Sequence, residues 1–246
     1  MSTPMTATPP LSAATREKLM SVSTATLCTA LFKRGFRNQM IQGARPLDPS
    51  KPNMVGPAFT LRYIPAREDL NPITVFQDRG HPQRKAVEEC PPGAVFVVDS
   101  RKDARAASAG SILLTRLMKR GCAGFVTDGG LRDAAEIARL DIPTYHQRPS
   151  APTNLTLHQA LDINVPIGCG GVPVYPGDII VGDPEGCCVI PAGIAEEIAR
   201  DAIAQDEFET FVQEQVDAGR TIFGLYPPNE QGAADFEKWK AARAKR

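Results

Sequence analysis

Asp128-Gly129-Gly130-Leu131-Arg132-Asp133 is the stretch on which the reading of this chain turns. Before it, Ala123 to Thr127 is a short apolar run of the kind that forms a buried strand. After it, Asp133 to Leu140 reads as a short helix. A strand ending in flexible glycines thus delivers a cation and a carboxylate to a helix start, and ligands of open α/β sheets collect at the carboxyl ends of strands. The same residues admit a structural reading, in which Asp133 caps its helix and Arg132 makes a surface ion pair.

Working outward, the same pattern occurs once more upstream. Pro91-Pro92-Gly93 is a turn, Ala94 to Asp99 reads as a buried strand, and Ser111 to Arg120 has helical apolar spacing at Ile112, Leu113, Leu117 and Met118. Ala109-Gly110-Ser111-Ile112-Leu113 is then a second helix start, where free backbone N–H groups can hold a carboxylate without a cationic side chain. Gly110 is equally readable as an ordinary turn residue. Strands alternating with helices indicate parallel pairing through crossovers, which would bring both corners to one edge.

Further out the pattern changes. Ser23 is a suitable N-cap for a helix from Thr24 to Arg34, stopped by Gly35, and Ala58 to Ile64 alternates as a strand. Pro65 to Pro82 is long, polar and irregular, a candidate functional loop. Past Leu140 come short β segments: Pro143 to His146, Asn164 to Cys169, Val172 to Val174, Asp178 to Gly182 and Cys187 to Ile190. An amphipathic helix from Ala192 to Ala218 and a charged terminal helix from Asn229 to Arg246, suited to packing on a neighbouring subunit, complete the chain. The expected organisation is a disordered lead over 1–12, one α/β domain over 13–226 and a helical extension over 227–246.

Composition narrows the function classes. The 246 residues carry 28 Lys plus Arg against 28 Asp plus Glu, so no overall field favours nucleic acid or an acidic membrane. The six cysteines form no CxxC pair and sit mostly in apolar stretches, as in a reduced cytoplasmic protein. No run approaches 18 apolar residues, and Met1 to Leu11 lacks the charged and apolar regions of an export signal.

Other candidates are weaker. Arg62, Arg67, Arg101, Lys102 and Arg105 could meet an acidic substrate, although such charges are usually solvated. His81, His146 and His158 lie in different loops without metal-ligand spacing. Pro176-Gly177-Asp178 and Gly182-Asp183 shape turns, and Cys169, Cys187 and Cys188 have no neighbouring histidine to activate them.

The ordered set of motifs resembles the RraA-like family, which includes 4-hydroxy-4-methyl-2-oxoglutarate aldolases and regulators of ribonuclease activity. The resemblance runs from Ser23-Thr24-Ala25-Thr26 through Gly56-Pro57-Ala58, Pro92-Gly93, Gly110 and Gly129 to Asp133. It continues through Pro166 to Gly171, Pro176-Gly177-Asp178 and Gly182-Asp183-Pro184-Glu185-Gly186. It implies an α/β, swivelling β/β/α-type single domain with N- and C-terminal helical extensions, assembled as a homotrimer or homohexamer.

It also implies a divalent-metal-dependent carbon–carbon lyase. Asp133 would anchor Mg²⁺ or Mn²⁺ largely through water, and Arg132 would stabilise the enolate oxygen. The backbone from Gly110 through Ser111 and Ile112 to Leu113 would receive the substrate carboxylate. The substrate would be a 4-hydroxy-2-oxo acid or a 2-oxo-3-deoxy sugar acid cleaved to pyruvate plus a carbonyl compound, with oxaloacetate decarboxylation as a side activity. Where the aldolases carry an acidic residue that holds a metal-bound water, this chain has Ser111, so the proton carrier differs; Asp103, Glu136 or a neighbouring subunit's carboxylate are the substitutes. The alternatives are a non-catalytic regulator binding an RNA-processing ribonuclease, a dehydratase or hydrolase on a related sugar acid, and a scaffold with a decayed site.

Overall fold

The computed structural model describes residues 11–244. Residues 1–10 of the expected disordered lead lie outside that range, but Leu11 packs on the core and Ser12 caps the first helix, its Oγ accepting from Thr15 N at 3.1 Å. The described residues open on two helices, α1 (Ala13–Ser21) and α2 (Thr24–Lys33). A β-rich stretch then alternates with short helices: β1 (Arg45–Pro46), β2 (Met54–Pro65), α3 (Pro82–Glu89), β3 (Val95–Asp99), β4 (Ala107–Ala109) and α4 (Ser111–Lys119). Next come β5 (Gly124–Thr127), β6 (Gly130–Leu131), α5 (Ala134–Ile137), β7 (Thr144–His146), β8 (Arg148–Pro149) and β9 (His158–Ile163). The β10 (Ile167–Cys169), β11 (Val172–Val174), β12 (Ile179–Asp183) and β13 (Gly186–Ile190) strands precede the long α6 (Ala195–Asp217) and the terminal α7 (Glu230–Arg243).

The main sheet has eight strands in the order β1-β7-β5-β3-β2-β12-β13, with β9 also pairing β2. Its centre is parallel, β2 with β3, β3 with β5 and β5 with β7, as the strand–helix alternation requires. The flanks are antiparallel, and the sheet curls into a nearly closed barrel. Because successive side chains of a strand point to opposite faces, each strand feeds two cores. Val95 and Val97 point into the barrel with Val126, Tyr145 and Ile180, while Phe96 and Val98 pack outward against Leu114 and Leu117 of α4 and Val87 of α3. A third core joins Leu19 and Leu27 of the first two helices to Val181, Ile190 and Ile198.

Two helices were not expected from the sequence. α1 buries only Thr15 and Leu19, and the eight residues of α3 are mostly polar, burying Gln83, Ala86 and Val87. The helix expected from Asp133 to Leu140 is regular only over Ala134–Ile137. α7 packs on α6 of its own chain through Phe236 and Trp239 against Phe208 and Phe211, and Trp239 Nε1 donates to Glu214 at 2.6 Å. Among the described residues, no helix is long and apolar enough to cross a membrane.

Candidate functional site

The two corners do meet, through an element the sequence did not announce. Neither main strand runs directly into its helix. Short strands β4, β6 and β8 form a separate three-stranded parallel sheet, and β4 beside β6 aligns Ala109 with Leu131. Arg132 N donates to Ala109 O at 3.1 Å, which sets Gly110 against the Arg132-Asp133 pair.

Buried polar groups fix this sheet at the end of the barrel. The Asp128 carboxylate is fully buried and accepts from three backbone N–H groups, of Ser100 (2.7 Å), Lys102 (3.0 Å) and Gly170 (3.0 Å). Burial pushes its pKa above the ordinary carboxylate range against the pull of those bonds. Beside it, the hydroxyls of Ser100, Ser108 and Thr127 bond one another, and Thr127 Oγ1 accepts from Gly129 N at 3.0 Å.

Gly129 and Gly130 are not the flexible residues that the sequence suggested. Neither has a positive φ. A Cβ on Gly129 would lie 2.5 Å from Ser100 Cβ, and one on Gly130 would lie 2.6 Å from Ser150 Cβ and 2.9 Å from two carbonyl oxygens. They are glycines because the backbone passes through a space with no room for a side chain.

Asp133 is held in a left-handed backbone conformation, φ 56° and ψ 34°, which is uncommon for a residue with a side chain. Its carboxylate makes no capping bond to its own helix. It reaches instead to the other corner, where Oδ2 accepts from Ser111 N at 3.1 Å and Ser111 Oγ at 3.3 Å. Arg132 Nε lies 3.5 Å from the same oxygen. The Asp133 side chain therefore does not cap α5, whereas the ion pair of the structural reading is present, between Arg132 and Asp133 themselves. Gly110 completes the cradle, since a Cβ there would come within 2.8 Å of both Arg132 Cγ and Asp133 Oδ2.

This cradle lines a cavity of about 360 Å³ together with Ile112, Leu113, Gln83, Arg84, Asn154 and the loop residues Ile73 and Phe76. Of the four expected backbone positions, Ser111 N–H is already bonded to Asp133 and Leu113 N–H to Gly110 O. Gly110 and Ile112 keep N–H groups with no bond among the described residues. Behind the cavity, Gln83 Nε2 donates to Tyr63 Oη (2.8 Å) and Ser108 O (2.9 Å), while Tyr63 Oη donates to the same carbonyl (2.8 Å).

Asp133 is the one carboxylate lining this cavity among the described residues, and no group of three His, Cys, Asp or Glu gathers as a metal site. The donor set suits a hard cation held by one carboxylate and waters, because Oδ1 carries none of the bonds made by Oδ2. It does not suit a soft or many-ligand ion.

The other candidate cations are engaged elsewhere. Arg62 pairs with Asp162, Arg67 with Asp69 and Arg105 with Asp103, while Arg101 donates to Leu157 O and meets His158 Nδ1. None of them, nor Lys102, lines the cavity. Asp103 is held well below the ordinary carboxylate range, first by its bond to Arg105, and neither it nor Glu136 lines the cavity. The histidines are buried rather than in open loops, His146 ending β7 and His158 opening β9. Cys169, Cys187 and Cys188 are buried free thiols, and burial pushes Cys169 and Cys187 well above the ordinary thiol range. Gln83, Arg84 and Asn154 were missed, since a lone polar residue on an unrecognised helix or loop carries no pattern, whereas Ile73 and Phe76 fall within the 65–82 segment expected as a functional loop.

The family description RraA-like, Aldolase/RraA, matches residues 24–189, which contain both corners and all but the last residue of the barrel strands. The chain belongs to the RraA-like family. Among RraA-like relatives, a Halalkalibacterium halodurans protein provisionally named a 4-hydroxy-4-methyl-2-oxoglutarate aldolase is 41% identical over 118 residues, 48% of this chain and 56% of that protein. Protein DlpA of Legionella pneumophila is 24% identical over 233 residues, covering 94% of this chain and 35% of that one. The chain thus spans only part of either relative. Streptomyces coelicolor RraAS2, described as an unusual member of the RNase ES inhibitor RraA protein family, superposes with a TM-score of 0.73 at 30% identity, over 83% of this chain and 98% of that one.

Proposed function

We propose that this RraA-like protein is a divalent-metal-dependent lyase that cleaves a 4-hydroxy-2-oxo acid, or a 2-oxo-3-deoxy sugar acid, to pyruvate and a carbonyl compound. The observation that carries the reading is the convergence of the Gly110 and Arg132-Asp133 corners on one cavity, with the carboxylate turned away from its own helix.

The roles follow from charge and position. The N–H groups of Gly110 and Ile112 receive the C1 carboxylate of the substrate. The Arg132 guanidinium faces the C2 oxygen and stabilises the negative charge that develops there as the C3–C4 bond breaks. Asp133 would hold Mg²⁺ or Mn²⁺ through Oδ1, largely through water, and the ion would supply Lewis-acid stabilisation of the same charge. Ser111 holds the Asp133 carboxylate in place and is not the proton carrier. That role falls to a carboxylate from a neighbouring subunit in a homotrimer or homohexamer, an assembly that would also cover Ile112, 81% exposed at the cavity. Decarboxylation of oxaloacetate would use the same charge stabilisation.

The likeness to RraAS2 favours one rival, a regulator that binds a ribonuclease without turnover. Pyruvate release from a panel of 4-hydroxy-2-oxo acids, with Mg²⁺ or Mn²⁺ and with a chelator, tests the two. The lyase reading expects metal-dependent release that Arg132→Ala and Asp133→Ala each reduce by at least ~100-fold, the scale of losing one charge-stabilising group. Full activity in both variants, or no release from any substrate, removes it.

A further inference from the structure

Arg84 is a cation without a counter-ion. It lies on α3, lines the cavity, and places its guanidinium carbon 4.3 Å above the centre of the Phe76 ring. Among the described residues it makes no ion pair and no hydrogen bond, and burial lowers its pKa with no carboxylate opposing. Of the carboxylates nearby, Glu88 pairs with Arg116 and Glu89 with Lys85, while Asp78 accepts from Gly80 N and makes no ion pair with Arg84. A guanidinium over a ring face still has its N–H donors available for a planar, two-oxygen acceptor.

Asn154 also lines the cavity and is only 5% exposed. Its Oδ1 accepts from Thr153 Oγ1 at 3.3 Å, but its buried Nδ2 has no partner among the described residues. A buried donor left without a partner is costly, so such groups normally meet a ligand or water. The lining therefore carries two guanidinium groups, Arg84 and Arg132, against one carboxylate, Asp133. The cavity of about 360 Å³ is within the size range of small-molecule sites, and pyruvate has only six heavy atoms.

We infer that Arg84, stacked on Phe76 and assisted by the Asn154 amide, is a specificity-determining residue that binds a second, terminal carboxylate on the substrate. This rests on the lyase reading only for which end of the ligand faces Arg132. The ligand is an elongated diacid, its 2-oxo acid end against Gly110 and Arg132, its stem along Ile73 and Phe76, and its far carboxylate on Arg84.

Equilibrium binding separates this from turnover. Calorimetric titration with Mg²⁺ present compares 2-oxoglutarate with 2-oxopentanoate, which has the same chain length and a methyl group in place of the far carboxylate. A third arm uses 2-oxo-4-phosphonobutyrate. The intact protein is expected to bind the diacid about 10- to 100-fold more tightly than 2-oxopentanoate, the scale of a charge-assisted pair. R84Q should reduce that preference to within about twofold, R84K should restore part of it, and N154A should weaken it by about 3- to 10-fold. A preference untouched by R84Q, no binding of either oxo acid, or tighter binding of the phosphonate than of 2-oxoglutarate would overturn the assignment. Discrimination in binding without pyruvate release would sink the lyase reading alone; pyruvate release without discrimination would sink this one alone.

Discussion

The left-handed backbone at Asp133 gives a prediction that separates stored strain from chemistry. Holding a residue with a Cβ at φ 56° and ψ 34° costs about 1–2 kcal/mol. Glycine escapes that cost but loses about 0.5–1 kcal/mol more conformational entropy on folding. Asp133→Gly and Asp133→Ala both lose the two bonds to Ser111 and any ion held by the carboxylate, so those losses cancel between them. What remains is the backbone difference, about 0.75 kcal/mol at the middle of both ranges, in favour of Asp133→Gly. For a chain of this size each kcal/mol moves the melting temperature by about 2–4 °C, so the glycine variant should melt about 1–4 °C above the alanine variant. Scanning calorimetry of the two proteins side by side, with pyruvate release measured on the same samples, tests this. Turnover should be lost in both while stability diverges. Equal melting temperatures would show that no strain is held at Asp133, and retained turnover in the glycine variant would show that the carboxylate is not part of the site.

Three further outcomes follow from the geometry. Gly110→Ala keeps an accessible backbone, but its Cβ would sit 2.8 Å from Arg132 Cγ and Asp133 Oδ2, so kcat/KM should fall about 10- to 100-fold while the melting temperature drops by only about 2–4 °C; unchanged kinetics would contradict the cradle. Asp128→Ala leaves three buried N–H groups without an acceptor at about 1 kcal/mol or more each, and should lower the melting temperature by about 6–12 °C, measured by thermal denaturation; a shift under 2 °C would show that the carboxylate is not the anchor. His81, His146 and His158 all have pKa values lowered by burial, so below the ordinary histidine value of about 6.5 the unfolded chain binds more protons than the folded one. Their stabilising contribution is present above that pH and is lost as pH falls, and urea unfolding should show lower stability at pH 6 than at pH 7.5; an increase would reverse the sign.

The sequence by itself determined the α/β class, most strand positions and the two loop-to-helix corners. Those features are written in local patterns: apolar runs at Val95–Val98 and Phe125–Val126, glycines at strand ends, and an oxygen side chain at Ser23 before a helix. The local code failed where burial comes from elsewhere. α1 and α3 offer few apolar positions of their own, and short strands such as β4, β6 and β8 owe their form to pairing partners far along the chain. Only the tertiary structure decided that Gly129 and Gly130 are glycines for want of space, and that Asp133 serves the neighbouring corner rather than its own helix. It alone brought Arg84, Phe76 and Asn154 to the same cavity as Arg132. A side chain's partner is a property of three-dimensional neighbours, whereas periodicity records only which face of its own element a residue occupies.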